Sequence, residues 1–252
     1  MARVQHARQS RNIASRNQIA AHPLRFHWGM ITWTNDPTSQ SGDFGRRMLN
    51  VLIATLALVL ALPVMAAIAV LIKLTSPGPV LFRQRRVGVD RRAIGNAGGN
   101  YRRHADSGGR TFTMYKFRTM QVPNGASREV WAQQNDPRVT PVGRVLRKVR
   151  LDELPQLWNV LMGDMNVVGP RPEQPTIFAS LREQIEEYPL RQQVLPGITG
   201  WAQINRAYDS SVDDVREKLS YDLEYISHRS AWEDFKIMLL TPAVMLGRRG
   251  GW

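Results

Sequence analysis

The sequence predicts an α+β chain, mostly helical, built from one N-terminal membrane helix, a small β-hairpin and several amphipathic helices around a charged centre. Three observations lead there. Residues 49–72 are apolar and carry no charge. Two short strand-like stretches, 80–88 and 111–120, flank a segment rich in glycine and arginine. Apolar residues spaced i, i+3, i+4, i+7 occur on both sides of an Asp-Glu pair, Asp152–Glu153.

The chain has 252 residues and a formal net charge of +13. Such a balance points to an anionic partner, whether nucleic acid, an acidic membrane surface or a phosphorylated substrate. There is no cysteine, which excludes disulfides and thiolate metal sites. Residues 1–45 carry Arg3, Arg8, Arg11, Arg16 and Arg25, no lysine and little apolar periodicity. They read as a basic, disordered arm, or as one that touches anionic lipid.

At about 1.5 Å per residue, a helix over 49–72 is long enough for a hydrocarbon core of roughly 30 Å. Pro63 falls near its middle, where it removes a backbone hydrogen bond and favours a bend. Arg46 and Arg47 precede the run, and Lys73, Arg83, Arg85 and Arg86 follow it. Basic flanks prefer the cytoplasm. A straight span and a bent helix with both ends on one side both satisfy this pattern.

SPGP at 76–79 predicts a turn, VLFRQRRVG (80–88) a strand, 89–110 a flexible loop and TFTMYKFRTM (111–120) a second strand, the two strands pairing as a hairpin. In the second strand Phe112, Met114, Lys116 and Arg118 share one face. Val142, Val145, Leu146 and Val149 mark one helix; Leu154, Leu157, Trp158 and Leu161 mark another, stopped at Gly163. Residues 163–174 read as a loop. LPGITGW (195–201) gives a turn, and a helix is expected over Val212–Ile226. Ser230 and Glu233 open a last helix that ends at Pro242, packed on the core or lying in the headgroup layer.

Asp152 and Glu153 sit at the break between two helices. An aspartate there caps a helix by accepting backbone N–H bonds. The cations Arg147, Arg150 and Arg171, with Lys116 and Arg118 on a separate strand, support a second reading. Carboxylates among cations suit magnesium-assisted phosphoryl transfer, and an ionised aspartate can attack phosphorus to form an acyl phosphate.

The segments FRQRRVG, MYKFRTM, NDPRVTPVGRVLRKVRLDELPQLWNVLMGDMNVVGPRPE and PGITGWAQIN, in order over about residues 45–245, resemble the bacterial sugar transferases, the monotopic polyprenyl-phosphate sugar-1-phosphate transferases (phosphoglycosyl transferases), in their minimal catalytic form. The resemblance implies an enzyme that moves sugar-1-phosphate from a nucleoside diphosphate sugar, UDP by analogy, onto polyprenyl (undecaprenyl) phosphate, initiating polysaccharide or glycan assembly. Asp152 would be the nucleophile of a covalent phosphosugar intermediate. Glu153, with Asp152, would hold Mg²⁺. Lys116 and Arg171, and less clearly Arg118, Arg150 and Arg206, would bind phosphate. After WAQIN the chain reads RAYDSS, so Arg206 stands one position off the family's usual arginine. Asp234 falls where members carry an acidic residue that either joins the site or stabilises a helix start.

The resemblance also implies a re-entrant helix broken at Pro63 over 46–75, with residues 76–252 as a catalytic domain on the cytoplasmic face of the bacterial inner membrane. Anionic lipids are expected partners, nucleic acid is not, and homo-oligomerisation is left open. The competing readings are a membrane-tethered nucleic-acid-binding protein and an inactive assembly scaffold.

Overall fold

The computed structural model describes residues 37–90, 109–121, 136–206 and 211–247. Helix α1 spans Pro37–Thr75, with Pro63 inside it. It starts well before residue 46, so part of the stretch read as an arm is helical; residues 1–36 lie outside the described residues, as does the greater part of the 89–110 loop. Phe44–Thr75 forms the single helix, among the described residues, that is long and apolar enough to cross a membrane, with a mean hydropathy of 2.7 over its most apolar window. Leu52, Leu56, Val59, Leu60, Leu71 and Leu74 are exposed on it.

Strands β1 (Leu81–Val87) and β2 (Thr111–Phe117) pair antiparallel, with Leu81 opposite Phe117 and Val87 opposite Thr111. This is the expected hairpin. Helix α2 (Pro141–Lys148) begins with Thr140, whose hydroxyl accepts the Gly143 N–H at 2.9 Å, and with Pro141 in its first turn. A 3₁₀ turn at Leu151–Glu153 and helix α3 (Gln156–Met162) follow. Gly163 ends α3 in the left-handed region at φ 84°, as the sequence predicts.

The 163–174 stretch is more than a loop. Asn166–Val168 (β3) pairs in parallel with Gly197–Thr199 (β4). Strands of three residues carry too little alternation to be read from sequence. Helix α4 (Pro175–Gln184), a second 3₁₀ turn (Tyr188–Gln193) and α5 (Trp201–Asn205) complete the middle of the chain. Helix α6 spans Val212–His228, opened by a reciprocal Ser211–Asp214 capping box. Helix α7 spans Ala231–Gly247 and runs through Pro242 instead of ending there. As expected, the Ser230 hydroxyl accepts the Glu233 N–H, at 3.1 Å.

Both halves of α1 pack on this body. Ala54 lies in a cluster with Phe112, Met114, Leu157, Val160 and Met165. Ile68 and Ile72 lie in another with Phe117 and Leu146. Each half of the helix therefore has its own apolar contacts with the body. Polar ties add to this. The Asn50 side-chain oxygen accepts the Val167 N–H at 2.7 Å, and Arg47 donates to the Val160 and Met165 carbonyls. Arg46 pairs with buried Asp234 at 2.9 Å, and Tyr225 donates to the same carboxylate at 2.7 Å.

Candidate active site

The turn that carries Asp152 and Glu153 is set by Arg150. It adopts φ 55° and ψ 21°, the one positive φ outside glycine among the described residues. This left-handed residue costs about 1 kcal/mol for a side chain with a Cβ. It breaks the path of α2 and turns the next three residues inward, so that Asp152 and Glu153 are both buried.

The two carboxylates have different surroundings. Glu153 Oε1 accepts from Arg171 Nη2 at 2.7 Å and from Lys116 Nζ at 3.1 Å, and Arg150 Nη1 lies 3.5 Å from Oε2. Among the described residues, no hydrogen bond or ion pair reaches the Asp152 carboxylate. Burial, then the charge of Glu153, pushes the Asp152 carboxyl above its usual value; Lys116, Arg171 and Arg147 offset part of this. Burial acts upward on Glu153 too, but Arg171, Lys116 and Arg150 together outweigh it and hold its carboxyl well below the usual range. Burial lowers the Lys116 ammonium against the opposing pull of Glu153.

The frame around the pair is fixed by backbone bonds. Asn159 is fully buried; its amide donates to the Thr113 carbonyl at 2.7 Å and its oxygen accepts the Tyr115 N–H at 3.1 Å. It thereby fastens α3 along β2 and sets Lys116 opposite Glu153. Gly143 touches the end of the same chain segment: a Cβ there would stand 2.1 Å from the Thr119 carbonyl oxygen.

Of the expected site residues, the fold brings together Asp152, Glu153, Lys116, Arg150 and Arg171. It does not bring Arg118 or Arg206. Arg118 lies one residue past β2; its guanidinium is buried and donates to the Ser76 and Pro77 carbonyls and the Ser76 hydroxyl, closing the turn after α1. Strand alternation stops at Phe117, so the shared face does not extend to it. Arg206 pairs with Glu217 at 2.5 Å and with Asp214 at 3.8 Å, on α6. Asp234 is the Arg46 partner and joins α7 to the membrane helix.

Sequence reading missed Arg191 and Asp222. They form a buried pair at 2.7 Å beside the Arg171 loop. Asp222 left a signal, because it shares the buried face of α6 with Val215 and Leu219, and an acid there needs a partner. Arg191 left none.

The site offers a metal two adjacent carboxylates, Asp152 and Glu153; among the described residues no group of three or more His, Asp or Glu gathers. Mg²⁺ is commonly held by one or two carboxylates plus substrate phosphates, so this set suits it and does not suit an all-protein cage.

The family model of the bacterial sugar transferases matches residues 41–248. The chain belongs to this family. It is 44% identical over 207 residues to the UDP-glucose:undecaprenyl-phosphate glucose-1-phosphate transferase of Escherichia coli K12, covering 81% of this chain and 41% of that protein. It is 43% identical to the UDP-N-acetylgalactosamine-undecaprenyl-phosphate N-acetylgalactosaminephosphotransferase of Aeromonas hydrophila, covering 81% and 44%. The chain thus spans about two-fifths of the length of these two relatives. Against the exopolysaccharide production protein PSS of Rhizobium leguminosarum bv. phaseoli it is 35% identical, covering 82% of this chain and 97% of that protein. None of these relatives carries a name that supports the nucleic-acid reading.

Proposed function

We propose that the chain is a phosphoglycosyl transferase that passes sugar-1-phosphate from a UDP-sugar to undecaprenyl phosphate through an aspartyl intermediate. The observation that carries this reading is the unequal dyad: Glu153 gathers three cations while, among the described residues, none donates a hydrogen bond to the adjacent Asp152 carboxylate.

In the first step an Asp152 carboxylate oxygen attacks the sugar-bearing phosphorus. The bond from that phosphorus to the bridging oxygen breaks, and UMP leaves with the electron pair. In the second, a phosphate oxygen of undecaprenyl phosphate attacks the same phosphorus. The aspartyl–phosphorus bond breaks, and the carboxylate is released with the undecaprenyl-diphospho-sugar. Lys116, Arg150 and Arg171 offer charge to the phosphoryl oxygens, and Glu153 holds those cations in place before substrate arrives. Mg²⁺ held by Asp152 and Glu153 would neutralise diphosphate charge. The raised Asp152 value suits a basic nucleophile, provided it is ionised.

We read α1 as re-entrant, bent at Pro63, with both ends cytoplasmic. What supports this is that Arg46, Asn50 and Ala54 before Pro63 and Ile68, Ile72 and Ser76 after it engage one charged body. The stretch from Arg46 to Ser76 would be about 45 Å long if straight, and a body that touches both of its ends cannot stand across a bilayer. Exposed Val145 on α2 and Val149 just after it, Trp158 and Met162 on α3, and Trp232, Phe235 and Leu239 on α7 suit the headgroup layer. The dyad would then lie where a cytosolic nucleotide sugar meets a lipid phosphate.

The test is to incubate the full chain in nanodiscs with Mg²⁺, undecaprenyl phosphate and a panel of radiolabelled UDP-sugars. Lipid-linked product with at least one sugar is expected; none with any sugar overturns the assignment. Gly45→Cys and Thr75→Cys test the topology in this cysteine-free chain. Labelling of both from the cytoplasmic side is expected, and opposite-side labelling rejects the re-entrant helix.

A further inference from the structure

Arg171 reaches Glu153 from the segment Gly169–Glu173, and that segment has an unusual frame. Four consecutive carbonyls in it each accept a donor from outside the loop. Pro170 takes the Gly197 N–H at 2.9 Å, and Arg171 takes Arg191 Nη2 at 3.0 Å. Pro172 takes Arg86 Nη1 at 2.9 Å, and Glu173 takes the Val87 N–H at 2.9 Å. The donors come from β4, the second 3₁₀ turn and β1. Prolines at 170 and 172 fix φ on either side of Arg171.

Arg191 is itself anchored. Its Nη2 also donates to Asp222 Oδ2 at 2.7 Å, and its Nη1 donates to the Tyr188 hydroxyl at 2.6 Å. Its guanidinium stands 5.0 Å from the Tyr188 ring centre. The Glu173 carboxylate bridges the two arginines, 4.0 Å from Arg191 and 3.7 Å from Arg86. Burial keeps the Tyr188 phenol neutral by pushing its value up. A buried arginine needs several acceptors, and this one spends a donor on the main chain of a single site residue.

We propose that Arg191, held by Asp222 and Tyr188, is a positioning residue that aims Arg171 at the dyad. This rests on the phosphate-binding role of Arg171 given above. With its carbonyl clamped and its neighbours fixed, Arg171 keeps only side-chain torsions to lose when it takes a phosphoryl oxygen. That is preorganisation of the kind that lowers the cost of reaching the transition state. Arg191 touches no substrate atom in this scheme; its effect passes entirely through residue 171.

A double-mutant cycle separates this from a role in folding. UMP release is measured in nanodiscs with undecaprenyl phosphate and the UDP-sugar that supports turnover, for Arg171→Ala, Arg191→Lys and the double variant, with Tm recorded for each. Lysine keeps the charge near Asp222 but cannot span Tyr188, Asp222 and the Arg171 carbonyl together. Arg191→Lys is expected to lower kcat/KM by ~10- to 100-fold, chiefly in kcat, since misplacement of a site residue can cost that much. In the Arg171→Ala background the same change is expected to lower it by less than ~3-fold, because the two act as one unit. Losses that multiply in full overturn the proposal while leaving Arg171 in its role. Undiminished activity of Arg171→Ala overturns that role, and the proposal with it. Should Arg191→Lys not fold, Tyr188→Phe removes only one hydroxyl and carries the same cycle; multiplicative losses there overturn the proposal equally.

Discussion

Two of the buried carboxylate clusters in this protein, at Asp234 and at the dyad, differ in arithmetic. Asp234 meets one arginine, Arg46, and one phenol, Tyr225, and all three polar groups are bonded to one another. At the dyad two carboxylates meet Lys116, Arg150 and Arg171, and all three cations fall on Glu153. The first cluster is closed: its charges cancel and its hydrogen bonds are mutual, which fastens α1 to α6 and α7. The second is open. It carries more positive than negative charge and, among the described residues, leaves Asp152 without a hydrogen bond. A closed cluster holds a structure; an open one has capacity left for a substrate phosphate.

The comparison breaks first at Asp152. Asp152→Asn is expected to lower activity by about 10⁴-fold or more, as loss of a nucleophile does, and to abolish the phosphosugar adduct by intact mass. Stability should move the other way. A carboxyl whose folded value is raised stabilises the protein only below its unfolded value, and that contribution is lost as pH rises through the folded value. At pH 7 the ionised group therefore weighs against folding, and asparagine relieves it. An unchanged or higher Tm with no adduct is the expected pair of results; a retained adduct means another group attacks phosphorus.

Asp234→Asn should show the opposite signature. Removing one partner of a buried pair costs about 3 kcal/mol, seen as a lower Tm in nanodiscs. Activity should fall only with the folded fraction, which is checked by assaying below the new transition. A specific activity that collapses while the fold is intact would make Asp234 part of the site.

A smaller effect tests how α2 meets the chain just after β2. Gly143→Ala places a Cβ 2.1 Å from the Thr119 carbonyl oxygen, a backbone atom that cannot swing aside. Overpacking of this kind costs about 1–3 kcal/mol, to be read as a fall in Tm. An unaltered Tm would mean the helix shifts freely against the strand.

Much of this was readable from sequence where the signal is periodic or dense. The apolar run, the hairpin, the helices around the dyad and the cap at Ser230 follow from patterns of several residues. Asp152, Glu153, Lys116 and Arg171 come from motif resemblance and meet in space. What was unreadable depends on short elements and on where long side chains go. The three-residue strands β3 and β4 carry no period. Arg118 reads as a strand neighbour of Lys116, yet a guanidinium on a long stem finds the carbonyls of Ser76 and Pro77 instead. Arg191 looks like any surface arginine until Asp222, 31 residues on, is packed against it.

The finest test concerns the coupling inside the dyad. Glu153 raises Asp152 by its charge and also draws Lys116 and Arg171 to itself, away from its neighbour. Glu153→Gln removes both effects. The Asp152 value should then fall, and the acid limb of adduct formation should shift to lower pH, even though the residual rate is reduced by looser cations. Stability follows the other linkage. The Glu153 value is depressed in the fold, so its contribution is present above the unfolded value and lost as pH falls through the folded one; the Tm deficit of Glu153→Gln should therefore be larger at pH 7 than in acid. The dyad titrates as a pair, so the limb belongs to both carboxyls. If the limb of Glu153→Gln stays in place or moves up, Glu153 does not tune Asp152, and its part is confined to holding the cations.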